Sequence, residues 1–80
     1  MIYKLIKVEA YSGYRKNERP LTFYYQDEHR EVREILDRWY ESNPKAGSPN
    51  FAHFKVLASD KKVYFLRYNS RFETWAVRIE

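Results

Sequence analysis

Cationic and aromatic side chains are interleaved along this 80-residue chain, and they are the residues best able to bind a ligand. Aromatic rings stack on nucleobases while Lys and Arg neutralise phosphates, which is how small β-barrels hold single strands without reading their sequence. Fifteen Lys plus Arg against eleven Asp plus Glu give a net charge of +4, which favours contact with a polyanion. The candidate binding residues are Tyr14, Arg15, Lys16, Arg19, Tyr24, Lys61, Lys62, Arg67 and Arg71.

A protein-interaction module is an equal alternative to a nucleic-acid-binding module. In a domain this small with 19% aromatic residues, most rings must serve the core or its rim. Lysines at turn tips, such as Lys61 and Lys62, also blunt sheet edges and keep a protein soluble. Both kinds of partner, nucleic acid and protein, therefore stay open at this point.

The segment 13–20 carries four of the candidate residues and has two interpretations. Its first residue is a glycine, which permits positive φ, and its last is a proline, which holds the preceding residue extended. Glu18 can then pair with Arg15 or Arg19 inside an ordered loop. The same loop would present guanidinium groups to a phosphate or a carboxylate.

No constellation of catalytic or metal-binding residues is apparent. His29 and His53 are predicted at a turn tip and on the outward side of a strand, as surface residues without a second metal ligand at suitable spacing. Asp37 stands beside Arg38, which favours the ionised carboxylate and a salt bridge rather than a general acid. No serine lies in a nucleophile elbow and no glycine-rich phosphate loop exists. We expect no enzyme activity, no metal and no cofactor.

The fold depends on residues 31–40, whose apolar residues suit two structures. With a helical period, Val32, Ile35, Leu36, Trp39 and Tyr40 form one apolar face, which gives an α+β domain with a helix near residues 31–41. With a period of two, the stretch is a strand with a bulge near Glu34. We predict the strand, paired with residues 21–26, and burial of both tryptophans.

Alternating apolar and polar residues predict the other strands of an all-β fold, a small bent antiparallel sheet or SH3-like barrel of about six strands. A connection without regular structure is expected over residues 41–50, which contain two of the three prolines. Ile6, Val8 and Ala10 are expected to share one side of the first strand. The expected core positions are Leu21, Phe23, Tyr25, Ala52, Phe54, Val56, Trp75, Val77 and Ile79.

The chain is expected to form a single domain over residues 1–80, located in the cytoplasm. It contains no cysteine, hence no disulfide framework. Lysines interrupt the apolar residues at the N-terminus, unlike a signal peptide, and no apolar run is long enough to span a membrane. We therefore expect no membrane partner.

Several phrases resemble a group of short bacterial cytoplasmic proteins and domains of unknown function, over nearly the whole chain. They are Val8-Glu-Ala-Tyr-Ser-Gly-Tyr-Arg15, Glu18-Arg-Pro20, Val32-Arg-Glu-Ile-Leu-Asp-Arg-Trp39, Phe54-Lys-Val56 and Tyr64-Phe-Leu-Arg-Tyr68. The resemblance implies an association with DNA metabolism, because related domains accompany error-prone DNA polymerase genes. The phrase from Val32 to Arg38 is also similar to the first strand of chromodomains, which implies an extended, bulged strand there. That family's methyl-lysine cage has no residue-by-residue counterpart in this chain.

Overall fold

Seven antiparallel strands form one curled sheet, a half-barrel, in the computed structural model, which describes residues 2–13, 18–42 and 50–79. The sheet order is β1-β7-β6-β5-β4-β3-β2. The all-β prediction is confirmed, and no helix occurs in the described ranges. The strands are β1 (Tyr3–Ile6), β2 (Val8–Tyr11), β3 (Arg19–Tyr25), β4 (Glu28–Glu41), β5 (Phe51–Ala58), β6 (Val63–Asn69) and β7 (Thr74–Arg78).

The first two strands lie at opposite edges of the sheet although one residue, Lys7, joins them. β1 pairs with β7 and β2 pairs with β3. The N–H of Tyr24 donates to the Lys7 carbonyl at 3.0 Å, which holds the change of partner in place. The N-terminal stretch was predicted as a single strand, and its division at Lys7 makes the count seven.

β4 is the strand that residues 31–40 were predicted to form, and it contains the predicted bulge near Glu34. Its first four residues pair with β3, whereas the residues from Val32 onward pair with β5. The predicted pairing of residues 31–40 with β3 is therefore right only for Glu31, which lies opposite Thr22. A second register shift follows between Ile35 and Asp37.

The second shift explains why the predicted burial of Trp39 is wrong. A shift of one residue turns every later side chain to the other side of a strand. Trp39 consequently lies opposite His53 on the outer side and is 41% exposed, whereas Arg38 and Tyr40 take the inner positions opposite Phe54 and Ala52.

The core occupies the concave inner side of the sheet, and most of the predicted core positions are confirmed. Trp75 is buried, as predicted, at 5% exposure. Leu21 is exposed because the register shift between Glu9 and Ala10 places Pro20 in the inward position instead. Ile79 is exposed because it lies beyond the end of β7. The buried cluster comprises Phe23, Phe54, Val56, Ala58, Leu66, Tyr68, Trp75 and Val77.

Three described turns place L-residues in the left-handed region, where glycine is preferred. Gln26 and Asp27 both have positive φ in the β3–β4 turn, as does Glu73 before β7. In the β5–β6 turn, the N–H of Lys61 donates to Ala58 O at 2.9 Å, and Lys61 has φ 66°. This is a three-residue hairpin loop whose last residue belongs to a G1 bulge. These turns therefore carry backbone strain that glycine would relieve.

We predict that Lys61→Gly raises the free energy of unfolding by about 0.5–1 kcal/mol, because the strain removed exceeds the entropy that glycine adds to the unfolded chain. Lys62→Gly is the matched control: it removes the same charge from the next residue, which has no positive φ, and should cost about 0.5–1 kcal/mol. Urea denaturation of both variants measures the difference. Equal effects would contradict the strain at Lys61.

Candidate functional site

The structure distributes the candidate residues over several places. Tyr14, Arg15 and Lys16 lie outside the described residues, and so does half of the predicted 13–20 loop, residues 14–17. At its described end, the Glu18 N–H donates to Tyr11 O at 2.8 Å and the Arg19 guanidinium lies 4.8 Å from the Tyr11 ring centroid. The other five are Tyr24 on β3, Lys61 and Lys62 in the β5–β6 turn, Arg67 on β6 and Arg71 in the β6–β7 turn.

Arg67 belongs to a continuous aromatic and basic surface on the convex side of the sheet. Strand register aligns Leu5, Ala76, Arg67, His53 and Trp39 in one row across β1, β7, β6, β5 and β4. We call this row and its flanking residues the outer patch. The flanking residues are Tyr3, Phe51, Lys55, Phe65 and Arg78.

Each cation of the outer patch lies over at least one aromatic ring. The Arg67 guanidinium carbon is 3.8 Å from the Tyr3 ring centroid and 4.5 Å from that of Phe51. Arg78 lies 4.0 Å from the Phe65 centroid, and the Lys55 ammonium lies 6.0 Å from the same ring. Rings and cations attract each other at these distances. The patch is thus an ordered layer of positive charge on packed strands.

Trp39 and His53 form a stacked pair at the β4 side of the outer patch. Their ring centroids are 5.1 Å apart and the planes differ by 5°. His53 Nε2 lies 2.9 Å from Glu41 Oε1. The prediction that His53 is a surface residue is wrong: its outward orientation is as predicted, but neighbouring side chains leave it only 8% exposed. His29, in contrast, has a side chain that is 44% exposed, as predicted.

The charge of the outer patch is uneven. Lys55, Arg67 and Arg78 lie on its three central strands, and neither Lys55 nor Arg67 forms an ion pair with any described residue. The acidic residues that face members of the patch across a strand pair are Asp37 and Glu41, both on β4, opposite Lys55 and Phe51. An anionic ligand would therefore be drawn to the centre and repelled at the β4 border.

Asp37 and Arg38 do not form the predicted salt bridge with each other. The Arg38 backbone N–H donates to Asp37 Oδ1 at 2.8 Å. The Arg38 guanidinium instead turns inward, lies 4.9 Å from the Phe54 ring centroid and donates to Glu18 O at 2.8 Å. The register shift that turns Trp39 outward turns Arg38 inward, which separates the two neighbouring side chains.

A polar cluster around the buried Arg30 connects the β3–β4 hairpin to the β5–β6 turn. Arg30 is 8% exposed and donates to Asp60 Oδ2 at 3.1 Å and to the carbonyls of Tyr25 and Glu28. The Tyr64 hydroxyl donates to the same Asp60 oxygen. No buried side-chain nitrogen or oxygen among the described residues lacks a hydrogen-bond partner. The cluster thus forms a closed structural network.

The cluster shifts the pKa of each member. Burial alone would lower the Arg30 pKa, but the Asp60 carboxylate raises it above its ordinary value. Burial alone would raise the Asp60 pKa, but hydrogen bonds from Tyr64, the Lys62 N–H and Arg30 lower it. Burial, followed by donation to Asp60, raises the Tyr64 pKa to about 12. All three shifts favour the protonation states found at neutral pH, which suits a structural role.

Other features of the described residues add no further site. None of them form a group of three or more potential ligands around a metal position. A shallow cleft of about 420 Å³ opens between β1 and the end of the β3–β4 hairpin, lined by Lys4, Leu5, Ile6, Lys7, Tyr24, Tyr25, Gln26 and Asp27. No helix in the described part of the chain is long and apolar enough to cross a membrane.

Comparison with known proteins returned no matching family model, no matching curated protein and no matching solved structure.

We predict that Tyr64 makes the protein sensitive to alkali. The folded state keeps the Tyr64 proton until about pH 12, whereas an unfolded tyrosine loses it near pH 10.0. The stability contributed by this shift is therefore complete below about pH 10 and is lost as the pH rises from about 10 to about 12. Urea denaturation at pH values from about 9 to about 11.5 should show a shallower loss for Tyr64→Phe than for the unaltered protein.

Tyr24→Phe is the control for this prediction, because it removes a hydroxyl from an exposed ring outside the cluster. The stability of Tyr24→Phe should change with pH in the same way as that of the unaltered protein. If Tyr64→Phe also followed the unaltered protein, the phenol would not be the titrating group.

Proposed function

We propose that this protein binds nucleic acid through the outer patch. The observation that carries the proposal is the set of three cations, Lys55, Arg67 and Arg78, held over aromatic rings on adjacent strands. Phosphate neutralisation by Lys and Arg supplies most of the affinity in non-specific nucleic-acid binding, and exposed rings add base stacking. The resemblance to bacterial proteins associated with DNA metabolism points the same way by association alone.

The rigid position of these cations supports the proposal. A mobile side chain loses conformational entropy when it binds, and preorganisation reduces that cost. Arg67 is held between two rings in the middle of β6, whereas Lys61 and Lys62 are exposed in a turn. The outer patch is therefore a better site for phosphates than the turn cations, which the sequence also identifies as candidates.

The chemistry of the patch favours nucleic acid over a catalytic role. It contains one histidine, whose Nε2 is already directed at Glu41, and its central residues are cations and rings. Such groups bind and stack but offer no paired acid and base. We propose a binding module without enzyme activity, acting in the cytoplasm, where a chain without cysteine needs no oxidising environment.

We predict that the variant Lys55→Gln/Arg67→Gln/Arg78→Gln loses most of its affinity for nucleic acid. Each phosphate contact with a single strand contributes about 0.7 to the slope of log K against log salt, so the loss of three should flatten the slope by about 2 units. Fluorescence anisotropy with a labelled oligonucleotide, measured over a range of salt concentrations, gives both quantities.

The matched control is Lys61→Gln/Lys62→Gln/Arg71→Gln, which removes the same charge from two turns outside the outer patch. This control variant should keep nearly the full slope of log K against log salt. A larger effect of the turn variant would place the phosphates at the turns instead. No affinity of the unaltered protein for any nucleic acid at low ionic strength would favour the other class of partner, a protein.

A further inference from the structure

We infer that the ligand of the outer patch is single-stranded and that one of its bases stacks on Trp39. This inference rests on the proposed function and specifies its ligand. The observation is the parallel stack of Trp39 on His53, 5.1 Å apart and 5° from coplanar, at the edge of a basic surface.

Trp39 presents the accessible end of this stack. His53 covers one face of the indole and is itself only 8% exposed, so a ligand cannot reach the pair from the His53 side. Trp39 remains 41% exposed, and beyond it β4 has no strand neighbour on that side along residues 32–41 in the described structure. A flat ring added to the stack would extend it past β4, on the side away from β5.

Charge determines which part of a nucleic acid reaches Trp39. The carboxylates of Asp37 and Glu41 stand two residues before and after Trp39 on the same side of β4. They repel phosphates there, whereas Arg67, two strands away and thus about 10 Å distant, attracts them. A strand bound with its backbone over the central cations therefore directs its bases toward the β4 border.

A base at Trp39 must be unpaired. Bases in a duplex are stacked inside the helix and offer no free face to a protein side chain, whereas single strands are held by stacking on aromatic residues. Each base stacked in this way has a large effect on affinity and little preference for sequence. The outer patch thus selects single strands by stacking and retains them by charge.

The experiment compares Trp39→Ala and Trp39→Phe with Tyr24→Ala, all as full chains. Tyr24 is a closely matched control: it is 43% exposed, also lies 5.1 Å from a histidine ring, that of His29, and is outside the outer patch, but its rings are tilted by 55°. The probes are an oligothymidylate of about 12 nucleotides, which is within the range of sites on small β-barrels, and a duplex of equal length.

We expect Trp39→Ala to bind the oligothymidylate roughly tenfold to a hundredfold more weakly, with the salt slope unchanged because no phosphate contact is lost. Trp39→Phe should retain part of the affinity, and Tyr24→Ala all of it. Binding should also quench the fluorescence of Trp39, since the other tryptophan, Trp75, is buried. Quenching should disappear in Trp39→Phe.

Three results would overturn the inference. One is equal affinity of the unaltered protein for duplex and single strand, and another is unchanged affinity in Trp39→Ala; in both cases a normal salt slope would leave the proposed function standing. The third is the absence of binding to either probe at low salt, which would overturn the proposed function as well. Circular dichroism of each variant checks that a loss of binding is not a loss of folding.

Discussion

The sheet has to cover its own inner face, because its described residues form no helix and no second layer that could do so. A chain of this size can bury only a small core, so the sheet must curl tightly around it. Two changes of partner allow the curl: β4 passes from β3 to β5 after Glu31, and the N-terminal stretch passes from β7 to β3 at Lys7. Among the described residues, the convex side is left as a large surface made of packed strands.

The buried Arg30 is a consequence of this curl. The curl brings the start of β4 next to the β5–β6 turn, where the Glu31 carbonyl accepts from the Ser59 N–H at 2.8 Å. A buried guanidinium is tolerated only when its donors are satisfied and its charge is paired. Asp60 and two carbonyls meet both conditions for Arg30, so the cluster fixes the corner between the two hairpins without leaving a group for chemistry.

Sequence patterns predict most of this fold, and two of the misplaced side chains share one cause. The alternation over β5 and β7 identifies their inward residues correctly. Both strands pair with β6 without a register shift, so inward and outward residues alternate regularly along each of them. Leu21 and Trp39 are misplaced because each follows or adjoins a register shift that no local signal marks. Likewise, the apolar residues of β4 suit a helix equally well, and only tertiary pairing with β5 determines that they are extended.

The same limit applies to the candidate site. Of the central residues of the site, the sequence alone identifies Arg67. The two rings that contact Arg67 come from other strands: one belongs to β1, which is separated from β6 by β7, and the other belongs to β5, which is adjacent to β6. One usable signal was present. Phe51 and Lys55 alternate with the predicted core positions of β5 and therefore point outward, and two outward residues of these types on one strand already indicate an aromatic and basic surface. The register that joins them to Tyr3 and Arg78 is set by tertiary pairing.

A cation that already contacts an aromatic ring can still bind a phosphate, and the geometry of arginine is the reason. A guanidinium meets a ring with its flat face, whereas its five N–H donors lie in its plane and point sideways. Arg67 has a ring on each of two sides and therefore keeps N–H donors available along the edges of its guanidinium plane. The two rings restrict the orientation of that plane. Lys55, 6.0 Å from Phe65, is a more loosely held point charge without this direction. If the outer patch binds nucleic acid as proposed, the two arginines should position a backbone that the lysine only attracts, and the strand would follow one path toward Trp39.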